Sequence, residues 1–300
     1  MFYLRRKNLY KYSKQFTPYL FLAPAAVILV LFFFVPFLES FLLSFQSYRN
    51  DIYNPQWVGL ENYINLFHAP VFWKTLANTF IYLIGVVPLL VVLSLVIAIL
   101  VNQKLRGIKI FRVMIYIPVI VSIVVAGIAW KWIYADSGIL NYMLEKLFDI
   151  SKIGWLTDPR FALYSVMAVT IWKGLGYYMV IYLAALTSVP KDLYEASDID
   201  GANVLQKHLA VTVPHLMPTI TLVSVISSIS AMKVFVEIYV MTQGGPLNAS
   251  KTIVYYIYQR AFENLDMGYA SAAGVVLLVI VMIMSIINVK FFEQNKQPIA

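Results

Sequence analysis

The chain is 300 residues long, 61% hydrophobic and only 13% charged. That is more apolar surface than a water-soluble domain of this size can hide, so lipid is its solvent and its fold class is an all-α integral membrane bundle. The absence of cysteine excludes disulfides, thiolate metal sites and a cysteine nucleophile, and the net charge of +8 sits at the ends of apolar runs, where it sets orientation and does not signal nucleic acid.

Residues 1–16 carry Arg5, Arg6, Lys7, Lys11 and Lys14 without an acidic residue, a cytoplasmic start. The apolar run 19–45 is too long for a signal-peptide core and lacks a small-residue cleavage site, so it reads as an uncleaved first span with its amino end inside. At ~1.5 Å per residue it outruns the ~30 Å hydrocarbon layer, and Pro24 and Pro36 are its candidate kinks. Residues 46–75, with Asn50-Asp51, Asn54-Pro55 and the rings Trp57, Tyr63 and Trp73, form an external loop. A second span, 76–101, ends in a loop carrying Lys104, Arg106, Lys109 and Arg112 and no acid, hence cytoplasmic.

The third span, 113–134, closes in Trp130, Trp132 and Tyr134 at an outer interface, and 135–160 is an external loop. A fourth, 161–187, contains Trp172-Lys173-Gly174-Leu175-Gly176-Tyr177-Tyr178. Counting spans places 188–214 inside. The fifth, 215–241, breaks at Thr242-Gln243-Gly244-Gly245-Pro246, the segment to 266 stays outside, and the sixth, 269–292, ends near Lys290, Glu293 and Lys296 inside. Six transmembrane helices, one domain and two cytoplasmic termini are expected.

Segment 188–214 is polar yet patterned as helix, tight turn, helix. Pro190 suits a first helical turn, and Asp192 and Glu195 lie toward the positive end of its dipole. Gly201 accommodates the positive φ that ends a helix, Asp200 is placed to cap the next, and Pro214 to stop it while restricting Val213.

The residues Glu195-Ala196-Ser197, then Gly201, then Val211-Thr212-Val213-Pro214 resemble a known signature: Glu-Ala-Ala, three residues, Gly, nine residues, Ile-x-Leu-Pro. It marks the cytoplasmic loop of binding-protein-dependent ABC importer permeases. Val58-Gly59-Leu60-Glu61-Asn62-Tyr63, Asn78-Thr79, Ile128-Ala129-Trp130-Lys131-Trp132 and Gly244-Gly245-Pro246 are similar to stations of the maltose-transporter MalF-type, carbohydrate-importing branch. The likeness runs from 19 to 292, with Ser197 in place of the second Ala and Val211 and Val213 in place of Ile and Leu.

The resemblance implies the ABC type I importer permease fold: a first helix and external loop (17–75), a five-helix core (76–292) and a tail (293–300). It implies that the first helix of 188–214 docks into a cleft on an ATPase subunit, with Glu195 at the docking surface, Ala196 and Ser197 allowing close approach, and Gly201, with Asp200 and Ala202 beside it, forming the turn ahead of Pro214. The implied partners are a second homologous permease chain, two ATP-binding subunits that hydrolyse the ATP, and an extracytoplasmic solute-binding protein that delivers a sugar or oligosaccharide. The setting is the cell membrane of a prokaryote, and no cofactor is bound by this chain. A polyamine or phosphate ester is the alternative cargo. An ion-coupled secondary transporter is the alternative class, but the paired repeats it calls for are not found.

No phosphate-binding G-x-x-x-x-G-K-[ST] loop and no H-E-x-x-H motif occurs, and His68, His208 and His215 are scattered, so neither a catalytic nor a metal constellation is visible. Lys173, Lys233 and Glu237 fall in or near spans, where ionisable groups face a cavity or a partner. Lys233 and Glu237, four apart, share a helical face and permit an ion pair, while Lys173 either snorkels to an interface or lines a path. Tyr177, Tyr178, Ser227, Ser228 and Ser230 offer a sugar rings and hydroxyls, although serines also serve helix packing in membranes.

Overall fold

A computed structural model describes residues 17–48, 55–103 and 105–293. The basic start 1–16, Asn50-Asp51, Asn54, Lys104 and the tail with Lys296 lie outside the described residues. Four helices are long and apolar enough to cross a membrane: α1 (Thr17–Leu43), α3 (Pro70–Val101), α7 (Ala162–Leu186) and, last in the chain, α13 (Met267–Glu293). Counting two sharply bent helix pairs as single spans brings the total to six. The expected span number therefore holds, but two spans are broken.

Helix α1 is exposed along almost its whole length, and its last turns pack against α13. A short antiparallel pair, β1 (Gln46–Ser47) and β2 (Gln56–Trp57), and α2 (Glu61–His68) follow. Asn62 fastens this corner: its side-chain amide donates to the carbonyls of Ser44 and Gln46, both at 2.9 Å. The second span begins at Pro70, six residues before the expected boundary, because Pro70 starts a helix without needing its N–H.

Helices α3 and α7 pack side by side and form the frame. Their shared core includes Tyr82, Val86, Val166, Met179 and Tyr182, all buried. The Tyr182 hydroxyl finds no hydrogen-bond partner among the described residues, and nothing in the structure explains it.

The third span is not the continuous 113–134 helix expected from the apolar run. Helix α4 (Ile108–Ile120) ends just past Pro118, Val121 is extended, and α5 (Ile123–Ile133) leaves at 99°. The connection to α7 holds a helix the sequence pattern did not suggest, α6 (Ile139–Phe148). It is organised by buried Asn141, which donates to the carbonyls of Ala135 and Ile153 and accepts from Ile153 N–H and the Trp155 indole. Nearby, the Arg160 guanidinium holds the Asp158 carboxyl below the usual carboxylate range.

The fifth span is corrected in the same way. Helix α8 (Lys191–Ile199) and α9 (Val204–His215) form the 188–214 loop, α10 (Met217–Met232) departs from α9 at 72°, and α11 (Val236–Met241) follows a three-residue break. The chain then turns through Gly244 (φ +74°) and residues 245–252 into α12 (Ile253–Tyr258). Asn78 of α3 donates to the carbonyls of Asn248 and Lys251, both at 2.9 Å, and the Thr79 hydroxyl accepts from Ile253 N–H. This is the physical content of the Asn78-Thr79 station. Burial pushes the Lys251 ammonium below its ordinary pKa.

Pro36 lies within the continuous helix α1, while α9 ends at His215, one residue after the Pro214 expected to stop it. Pro36 and Pro214 each follow a five-residue widened turn, Val30–Phe34 and His208–Thr212, in which the residue before the proline donates five residues back. The widened turn makes room for the ring and for the missing donor, so α1 continues past Pro36.

Helix α4 approaches α7 at Gly176, where an added Cβ would lie 2.4 Å from the Ile115 carbonyl oxygen. Replacing Gly176 by Val should lower the melting temperature of the purified protein and its yield, since main chain blocks the new side chain and cannot swing away. Gly274→Ala, where a Cβ meets nothing within 4 Å, should melt like the unmodified chain.

Candidate functional site

The polar residues within the spans converge on one cavity of about 350 Å³. Thr170, Lys173, Gly174 and Tyr177 recur at helical spacing and face it from α7, Ser227 and Ser230 face it from α10, Glu237 from α11 and Tyr82 from α3. Tyr178 joins them, its ring edge-on to Tyr177 at 5.1 Å. Ser227 is buried and donates to the carbonyls of Val223 and Ser224, so its hydroxyl is consumed by its own helix. Ser230 is exposed to the cavity.

Lys173 neither snorkels nor stands free. Its Nζ donates to the carbonyls of Pro118, Val119 and Val121 at 3.0, 3.2 and 2.6 Å. These are the oxygens left without partners where α4 breaks, at the negative end of its dipole. An ammonium has three donors, and all three are engaged.

Lys233 and Glu237 do not pair. Helix α10 ends at Met232, Lys233 leaves helical geometry at φ −104° and ψ 15°, and the four-residue spacing no longer places the two on one face. Lys233 is exposed outside the cavity, whereas Glu237 lies inside it. Sequence reasoning missed Tyr82 and Thr170, whose hydroxyls are hydrogen-bonded to each other across the wall. Thr170 was legible as the position three before Lys173 on the same helical face. Tyr82 carries no such signal within its apolar run.

The second cluster is the 188–214 loop. Asp192 lies in the first turn of α8 as expected, while Glu195 is further along and exposed. Gly201, at φ +73°, closes α8 in a Schellman arrangement: Ala202 N–H donates to Ser197 carbonyl and Gly201 N–H to that of Asp198. The expected cap by Asp200 is corrected: Asp200 ends α8, and Asn203 caps α9 in a reciprocal capping box with Gln206. Asn203 wins because it directly precedes α9 and reaches the Gln206 N–H at 2.9 Å.

The two helices are tied together. Buried Thr212 meets the Tyr194 hydroxyl at 2.7 Å and His208 Nδ1 at 2.9 Å, and Lys207 pairs with Asp198. Leu193, Ile199, Val204, Leu205 and Leu209 remain exposed on this otherwise polar unit, Ile199 at 87%. Exposed Ala196 beside Glu195 leaves the surface of α8 unobstructed there.

Residues 63–295 match the profile of the family described as binding-protein-dependent transport system inner membrane component. The chain is 36% identical over 283 residues to the arabinooligosaccharides transport system permease protein AraP of Bacillus subtilis, covering 93% of this chain and 89% of that one. It is 34% identical over 283 residues to the lactose transport system permease protein LacF of Rhizobium radiobacter, covering 93% and 94%. Its fold is shared with a bacterial ABC transporter involved in the import of the acidic polysaccharide alginate, with a TM-score of 0.82 at 24% identity over 97% of this chain and 100% of the other.

Replacing Lys173 by Met should leave the α4 carbonyls bare and cost on the order of 1–3 kcal/mol, read as a lower melting temperature in detergent. Lys233→Met, at an exposed position, should stay within about 0.5 kcal/mol of the parent.

Proposed function

Because the chain belongs to the family of binding-protein-dependent transport system inner membrane components, we propose that it is the permease subunit of an ATP-driven importer of a sugar or oligosaccharide handed over by an extracytoplasmic binding protein. The observation that carries the reading is the 188–214 unit, a cross-braced helix pair that offers exposed Leu193, Ile199, Val204, Leu205 and Leu209 on a polar body. A patch of that kind marks a protein partner. Since the sequence contains no phosphate-binding loop, that partner supplies ATP hydrolysis, and the unit passes its motion to the spans on either side.

Glu195, Ala196 and Ser197 form the docking surface, Gly201 sets the angle between the two helices, and Asp200, Ala202 and Pro214 keep the turn and the exit helix in register. Two ATP-binding subunits and a second homologous permease complete the assembly, the latter closing the open side of the cavity. Both termini and the 188–214 unit lie in the cytoplasm of a prokaryotic cell. The sugar assignment rests on relatives that carry arabinooligosaccharides and lactose and on a cavity that combines tyrosine rings with hydroxyls.

Gly201→Val forces a β-branched residue into positive φ at a cost on the order of 1–3 kcal/mol. In the reconstituted complex this should leave the subunits assembled while sugar uptake per ATP hydrolysed falls. Unchanged uptake would remove the turn from the coupling route. Topology has a clean test, because the native chain lacks cysteine. Ile199→Cys should resist a membrane-impermeant maleimide in intact cells and react in inverted vesicles; labelling in intact cells would overturn the cytoplasmic assignment.

A further inference from the structure

Resting on the sugar-importer reading, we infer that Glu237 is a specificity-determining residue that makes this wall of the cavity accept uncharged sugars and reject acidic ones. The inference starts from which polar groups are still free. Lys173 is the cation on the cavity wall, and its three donors are spent on the carbonyls of Pro118, Val119 and Val121. Its charge faces the negative end of α4, so it has no donor left for a carboxylate on a cargo molecule.

Among the described residues, Glu237 is not held in a direct salt bridge. The ion pairs among the described residues are Arg160–Asp158 and Lys207–Asp198, and neither involves Glu237. Its side chain lines the cavity together with the hydroxyls of Tyr82, Thr170, Tyr178 and Ser230. A carboxylate offers about four acceptor sites and no donor. Sugar hydroxyls are donors, and a pair of neighbouring hydroxyls fits the two carboxylate oxygens. A uronate brings a second carboxylate into the same partly dry space, where the like charge of Glu237 repels it and Lys173, already bound to the α4 carbonyls, has no donor to offer it. Recognition of a uronate calls for free guanidinium or ammonium donors, and this wall has none. The shared fold with an importer of the acidic polysaccharide alginate therefore does not carry its cargo chemistry over.

The test uses the complete importer, this chain with its partner subunits, in proteoliposomes without the binding protein, which would otherwise impose its own selectivity. Equilibrium binding of radiolabelled maltotriose, arabinotriose and trigalacturonate is measured for the parent, Glu237→Gln, Glu237→Asp and Ser230→Lys. The parent should bind at least one neutral trisaccharide about tenfold or more tightly than trigalacturonate, a ratio equivalent to ~1.4 kcal/mol. Glu237→Gln should shrink that ratio, Glu237→Asp should keep it, and Ser230→Lys, which adds a free cation to the same wall, should raise trigalacturonate binding. Ser230→Lys gives an independent reading should Glu237→Gln fail to assemble. Saccharide binding with the same ratio in parent and Glu237→Gln, or trigalacturonate bound by the parent as tightly as the neutral sugars, would overturn the role of Glu237 and leave the importer intact. Binding of no saccharide by any variant would overturn the assignment of this cavity to sugar and this inference with it.

Discussion

The ammonium of Lys173 on the broken end of α4 is the contact on which the arrangement depends. Lipid offers no hydrogen bonds, so a helix that stops in mid-membrane must find partners for its last carbonyls within the protein. Here α7 delivers one side chain that satisfies three of them at 2.6–3.2 Å. The approach is possible because Gly176, three residues on, brings the α7 backbone against Ile115 and Tyr116 of α4. A small residue and a cation on one helix thus let another helix break where a cavity is needed.

The same solution recurs on the other side of the bundle. Asn78 and Thr79 of α3 satisfy main-chain groups of Asn248, Lys251 and Ile253 in the segment after α11. Helices α3 and α7 carry the polar side chains, and the broken end of α4 and the segment after α11 supply the backbone that needs them. The rest of the polar lining of the cavity is hydroxyl groups and one carboxylate. Structural demand on Lys173 therefore shapes the chemistry offered to cargo.

The 188–214 unit follows α7 directly and leads directly into α10, so both cavity walls hang from it. The Tyr194–Thr212 hydrogen bond and the Lys207–Asp198 pair hold its two helices as one piece. In the proposed coupling role, a displacement imposed on α8 would reach Lys173 and Tyr177 through one attachment and Ser230 through the other. Bracing of this kind is what a rigid lever needs, since a slack turn would absorb the motion.

Composition alone determined that lipid is the solvent, because 61% hydrophobic residues with 13% charge leave no other way to hide the apolar surface. Local rules also marked the turn at Gly201, whose positive φ is a property of one residue and its neighbours. Hydropathy could not mark the break at Val121-Ser122, because the run across it stays apolar through the bend. It also misjudged Lys233 and Glu237, whose spacing is informative only if the helix is continuous. Which ionisable group faces the cavity, which caps a broken helix and which lies outside both were decided by tertiary structure. Each depends on a main-chain group that another helix brings within reach, and no periodicity within one segment records that neighbour.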